Sequence, residues 1–220
     1  MILTPIVPHR LAERLATLER GLAANSTRQV LRRIARGGDG GRATGVTAAR
    51  QHGDACAFLR QLGMAICDGA TALDVSWNGS AVRRTTEAYV LLHEGAHFQL
   101  AAPERRCLID FGLGPGPETG DKAAALRAQR IYGIAREREE ARASLLGILW
   151  EIELGHPGLA SFLDQNWLEG AERPGTAAHF TAVLEALRDN GFIDAAGRPR
   201  LHLRETADGD QESALRGPAK

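Results

Sequence analysis

The sequence predicts a mainly α-helical protein with a small β-sheet, an α+β fold. Three observations carry that prediction. Apolar residues recur at helical spacing through most of the chain, the β-rich runs are few and short, and Gly/Pro clusters cut the chain into helix-length segments. With 220 residues, 44% of them hydrophobic and 25% charged, the composition is that of a globular chain and excludes a fibrous or wholly disordered one.

Four regions are expected: an N-terminal helical segment over 1-45, a metal-binding core over 46-156, a C-terminal helical piece with a candidate β-wing over 157-204, and a disordered tail over 205-220. Leu11, Leu15, Leu18 and Leu22 form one buried stripe of a first helix. Ser26-Thr27-Arg28-Gln29 fits a capping box opening a second, which the linker GGDGGRATG follows. A helix over 53–66 precedes a strand at Thr71 to Trp77, a turn at Asn78-Gly79-Ser80 and a helix from Ala81 to Leu100. Arg106 to Leu113 reads as a short strand. A long helix is expected from Asp121 to Leu154, ended by Gly155-His156-Pro157. Helices over 158–169 and 176–190 follow, and GFIDAAGRPRLHL reads as strand–turn–strand.

Basic and acidic residues balance at 27 each, so the strong positive field of a non-specific nucleic-acid binder is missing, although Arg28, Arg32, Arg33, Arg36, Arg42 and Arg50 make a local basic bias. Cys56, Cys67 and Cys107 are an odd and sparse set, which argues against a disulfide framework and for a reducing compartment. The opening MILTPIVPHR lacks a basic n-region, and the longest apolar stretch, Leu145 to Trp150, is far too short to span a bilayer. A soluble, cytoplasmic protein without a membrane partner is expected.

The stretch that carries chemistry is His93-Glu94-Gly95-Ala96-His97, an HExxH sequence inside an expected helix. At i and i+4 the two imidazoles lie one turn apart on one face, close enough to share a tetrahedral Zn²⁺. Glu94 stands where a general base would meet a metal-activated water. A third ligand must come from elsewhere. The long helix offers Glu137, Glu139 and Glu140. Its apolar face contains Ile131, Ile134, Ala141, Leu145, Leu149 and Ile152; a second stripe contains Gly133, Glu137, Glu140, Ser144, Gly147 and Glu151. The glycines of that stripe allow another helix to approach, and Glu140 is its central carboxylate, whereas Glu139 lies on a different side. Asp110, 13 residues beyond His97, is a further candidate.

Over residues 70 to 155 the chain resembles the zincin metallopeptidases, in the gluzincin-like branch whose third ligand is a downstream glutamate, and more loosely the ImmA/IrrE-like peptidases. The resemblance rests on HExxH, and on Glu140-Ala141-Arg142-Ala143, which looks like the Glu-x-x-Ala ligand pattern of those families. It implies a zincin-like core of HExxH helix, short sheet and long third-ligand helix, with His93, His97 and Glu140 as ligands and an edge strand near Asp74 laid along an extended substrate. Gln99 departs from the pattern, standing where the family has an apolar residue. The activity implied is that of a zinc-dependent hydrolase, cleaving an amide bond in a peptide, protein or small amide substrate. Tyr132 and His156 are candidates for polarising the substrate carbonyl.

Two other readings use different residues. Glu94-x-x-His97 and Glu153-x-x-His156 are a pair of Glu-x-x-His motifs such as helical di-iron carboxylate proteins use. The segment from Phe180 to Leu203, helix then wing, together with the arginine cluster, points to a DNA-associated regulator with a vestigial metal site.

Overall fold

Helical periodicity is realised along most of the chain. A computed structural model describes residues 8–36, 38, 40–68, 77–116 and 119–204. Its helices are α1 (Pro8–Gly21), α2 (Asn25–Ala35), α3 (Gly45–Gln61), α4 (Ala88–Leu100), α5 (Lys122–Ala128), α6 (Gly133–Glu153), α7 (Leu159–Asp164) and α8 (Pro174–Asp189). The sheet is small: β1 (Ala65–Cys67) and β2 (Ala81–Arg83) run parallel, with Ile66 opposite Val82. The protein is thus mainly helical with a two-stranded sheet, in the α+β class. No described helix is long and apolar enough to cross a membrane.

Several boundaries differ from the sequence reading, each for a local reason. The capping box at Ser26 does not form: α2 starts at Asn25 without a side-chain cap, and Arg28 closes the preceding turn by donating to the Leu22 carbonyl at 2.9 Å. Helix α3 begins well before residue 53, because the segment from Gly45 with Ala48 and Ala49 is itself a good helix former. Of the strand expected at 71–77, residues 71–76 lie outside the described residues. The Asn78 turn leads into β2 rather than a helix; its side-chain oxygen accepts from the Ser80 and Ala81 amides.

The segment 106–113 is not a strand. It follows a 3-10 turn at Pro103–Arg105 and contains another at Ile109–Gly112, where Asp110 and Phe111 have φ of 46° and 54°, outside the strand region. The single long helix is also corrected, to α5 and α6. Between them the Arg130 and Ile131 amides bond to the Gly112 carbonyl, and the Gln129 amide nitrogen donates to Leu113 and Ile131, which pulls the chain out of helical geometry. Helix α7 stops at Asp164, two residues before Asn166 takes a φ of 66°. The C-terminal wing reduces to a single bridge, Ile193 to Pro199. The chain after it bonds to the helices instead, through Trp150 Nε1 to the Arg200 carbonyl and through the Gln99 amide to residues 202 and 204.

The core forms where α4, α6, α3 and α8 converge, around Leu59, Leu91, Leu92, Leu146, Trp150 and Phe180, all fully or almost fully buried. The Phe58 ring meets Trp150 edge-on at 4.8 Å. Ile134, expected on the apolar face of α6, is 66% exposed, because the first turns of α6 project past the core. Helix α4 lies directly on α6. A Cβ at Gly147 would come within 3.3 Å of the His93 backbone, and one at Gly95 would run into Leu59 and come to 3.5 Å from Trp150. Side chains at these two places would hold the helices apart.

Glu151, near the end of α6, is only 5% exposed. Burial pushes its carboxyl up to about 7, against the hydrogen bond to Ser161 and the charge of Arg42, which act the other way, while Asp164 adds to the rise.

Two predictions follow from this packing. Gly147→Val should cost about 1–3 kcal/mol in chemical denaturation, as overpacked sites do. Because Glu151 binds its proton more tightly folded than unfolded, stability should fall as pH rises from 4.5 to about 7 and level off above. Glu151→Gln should flatten that slope, seen as thermal midpoints across the pH range.

Candidate metal centre

The apolar run Val90 to Leu92 sets the register of α4 against the core, and this turns the next residues of the helix toward α6. His93 and His97 then stand one turn apart, their rings edge-to-face at 4.7 Å. Helix α6 brings Glu140 against both. His93 Nε2 and His97 Nε2 are 3.1 Å apart, His97 Nε2 and Glu140 Oε2 3.3 Å, and His93 Nε2 and Glu140 Oε2 3.7 Å. Among the described residues this is the group of side chains that can hold a metal ion.

The triangle fits a tetrahedral ion. Bonds of about 2.0–2.1 Å to nitrogen and oxygen space the ligand atoms of a tetrahedron about 3.3 Å apart, so the three atoms match one tetrahedral face. The donor set, two imidazoles and one carboxylate, is suited to zinc. Of the remaining nitrogens, His93 Nδ1 is buried without a hydrogen-bond partner and His97 Nδ1 faces Glu139 Oε1 from 3.9 Å.

Charge around the triangle is tightly coupled. Burial depresses the His93 imidazole below its ordinary range. Burial acts on His97 in the same direction, but hydrogen bonding to Glu139 and Glu140 outweighs it and lifts the ring to about 10. The carboxyl of Glu140 is held far below the carboxylate range, because the two imidazoles overcome the effect of its burial. His97 therefore holds a proton against Glu139 and Glu140, and that proton is what a metal would displace.

Glu94 sits beside this group. Burial pushes its carboxyl up to about 7; Asp110 and Glu140 add to the rise, while His97 and a hydrogen bond from the Trp77 amide oppose it. Aromatic rings line this side of the site. Phe111 stacks on His97 at 5.7 Å and on Trp77 at 5.5 Å, and Trp77 meets Phe98 edge-on. They set an apolar wall against His97, which strengthens the charge interactions of that ring.

The structure sorts the other candidates. Glu137 is exposed and outside the group. Asp110 is also outside it: its Oδ2 accepts from the Thr119 hydroxyl at 2.5 Å, and its left-handed backbone presents its charge to Glu94. Tyr132 caps the start of α6, 63% exposed, with its hydroxyl on the Gln129 carbonyl. His156 pairs with Asp54 at 3.0 Å. Neither lines the cavity that His93 and Glu140 share. Of the second Glu-x-x-His motif, Glu153 is taken by Arg33 and Arg198, so it does not join the first in a two-metal site. Three arginines of the basic cluster are engaged internally: Arg32 with Glu19, Arg33 with Glu153 and Arg42 with Asp164.

Sequence reasoning set Glu139 aside as lying on a different side of the helix, and so missed its place behind His97. Successive helix positions flank the two edges of one imidazole: Glu140 meets Nε2 of His97, and Glu139 Oε1 faces Nδ1 from 3.9 Å. Arg105 anchors Glu139 at 2.7 Å and also donates to the Phe111 carbonyl. The signal was the Glu139-Glu140 pair itself, since a ligand helix needs one carboxylate for the metal and another for the ring behind it. Also missed was the cavity beside the triangle. It measures about 580 Å³ and is lined by His93, Glu140, Gln165, Asn166, Trp167 and His179 among others. Trp167 is fixed there by its Nε1 bond to Ser144 at 2.8 Å, and His179 stacks on it at 5.4 Å.

Comparison with protein-family models, with curated proteins and with solved structures found no match to this chain.

Glu139→Gln should weaken metal affinity by about 10–100-fold without changing the stoichiometry, as loss of a carboxylate behind a ligating histidine does. Competition against a chromophoric chelator measures this, and Glu137→Gln should leave affinity unchanged.

Proposed function

We propose that the chain is a zinc-dependent hydrolase of the zincin type, acting on an amide bond, with His93, His97 and Glu140 as zinc ligands and Glu94 as general base. One observation carries the reading: the three donor atoms, brought from two helices, form a single tetrahedral face beside an open cavity. A bound zinc ion would supply a water activated near neutral pH and a Lewis acid for the carbonyl.

The chain's own residues do the rest. Glu94 takes the proton of the attacking water and delivers it to the departing nitrogen. Its carboxyl is suited to both transfers, because burial raises its proton affinity while the Trp77 amide keeps it oriented. Glu139, braced by Arg105, fixes the His97 ring so that Nε2 faces the metal. The cavity accepts the substrate, with the Trp167 ring as a flat wall and Gln165, Asn166 and His179 as polar contacts. Its lining is suited to a peptide, a protein segment or a small amide.

Glu94→Gln should retain zinc at the wild-type stoichiometry yet lose about 10²–10⁴-fold in hydrolysis, the range for removal of a general base. His97→Ala should lose both zinc and activity. Plasma mass spectrometry gives the metal content, and cleavage of a degenerate peptide pool followed by mass spectrometry gives the activity. A metal-replete Glu94→Gln protein that cleaves at the wild-type rate would contradict the mechanism.

A further inference from the structure

The pair α4–α6 borders a second cavity, of about 310 Å³, which shares no lining residue with the one beside His93 and Glu140. It lies toward the N-terminal end of α4 and the C-terminal end of α6. Tyr89 is one turn before His93, and Glu151 is roughly 16 Å from Glu140 along the helix at 1.5 Å per residue. Arg42, His52, Thr86, Tyr89, Glu151 and His156 are among its walls.

Most of these groups are already satisfied. His156 is paired with Asp54 at 3.0 Å. The Arg42 guanidinium lies 3.5 Å over the Tyr89 ring and spends its donors on Asp164 at 2.7 Å and the Ser161 hydroxyl at 2.8 Å. The Tyr89 hydroxyl is bonded to Glu87, and His52 Nε2 rests against the Arg84 carbonyl. Two groups are left. Glu151, 5% exposed, has the Ser161 hydroxyl as a hydrogen-bond partner but forms no ion pair among the described residues. Thr86, 3% exposed, has a buried hydroxyl without a hydrogen-bond partner.

A buried carboxyl without a counter-ion and a buried hydroxyl without a partner are both costly unless something else satisfies them. Both line one cavity whose volume is at the lower end of small-molecule sites. An anionic ligand finds no free donor fork there, since Arg42 is committed to Asp164 and Ser161. A cation finds a buried carboxyl that forms no ion pair among the described residues, Arg42 reaching it only through space and through the Ser161 hydroxyl that both contact. We propose that this cavity is a binding site for a small organic cation, an alkyl ammonium or guanidinium compound, whose N–H groups donate to the Glu151 carboxylate and the Thr86 hydroxyl. Burial that favours the neutral acid at Glu151 is reversed by such a partner, so the ligand and the ionised carboxylate stabilise each other.

The test uses the full chain and four probes built on a four-carbon chain: agmatine, putrescine, butanol and butyrate. In mildly alkaline buffer, calorimetry should show saturable binding of agmatine or putrescine, with a raised thermal midpoint, and none of butanol or butyrate. Glu151→Gln should weaken binding by roughly 10–100-fold, the worth of one charged hydrogen bond. Thr86→Val, on a different element, should weaken it about tenfold and repeats the test if Glu151→Gln fails to fold. Glu94→Gln should bind the cation as wild type does, which separates this cavity from the metal centre. No binding of either cation, equal binding of butanol, undiminished binding by a folded Glu151→Gln protein, or loss of binding in Glu94→Gln would each overturn the proposal.

Discussion

The approach of α4 to α6 is the constraint on which the rest of the structure depends. Gly147 lets the His93 backbone come into contact, and Gly95 makes room on the neighbouring face for Leu59 and Trp150. Only at that separation can two imidazoles from one helix and a carboxylate from the other meet within 3.1–3.7 Å. Close packing also brings a cost, because it buries His97 and half-buries His93, Glu140 and Glu94. That cost is offset within the cluster: Glu140 and Glu139 serve His97 from its two edges, and Arg105 neutralises Glu139. A cation held by His93, His97 and Glu140 would complete the compensation.

Much of the site was legible in the sequence because it follows from helical spacing. His93, Glu94 and His97 are fixed by an i, i+1, i+4 pattern on one element, and Glu140 and Gly147 lie on one stripe of another. The break at Gln129 to Tyr132 was not legible, since it depends on carbonyls at Gly112 and Leu113 that spacing along α6 does not reveal. Asp110 and Phe111 were read as part of a short strand, yet hydrogen bonds to Trp77 and Leu108 hold them in a left-handed turn. The role of Glu139 was hidden for a different reason. A helical wheel places side chains by angle alone and takes no account of an imidazole's having two edges. Gln99, an oddity in the motif's flank, is explained by the fold: 1% exposed, it binds the backbone of residues 202 and 204 and ties the C-terminal segment to α4.

The same helix pair organises two cavities of opposite character. Toward Glu140 the groups are mutually paired, open to a large cavity, and arranged around one point. Toward Glu151 a carboxyl and a hydroxyl are buried in a smaller cavity with their charge and hydrogen-bonding capacity only partly used. Residues of the competing readings have partners of their own. Arg33 and Arg198 hold the glutamate of the second Glu-x-x-His motif, Asp54 holds its histidine, and Arg32, Arg33 and Arg42 of the basic cluster form intramolecular ion pairs.

The most direct test of the metal centre is the zinc K-edge X-ray absorption spectrum of the zinc-loaded chain. The account predicts a four-coordinate shell of nitrogen and oxygen at about 2.0–2.1 Å, with the outer-shell scattering of two imidazole rings. A shell containing sulfur at about 2.3 Å, or one without imidazole scattering, would contradict it.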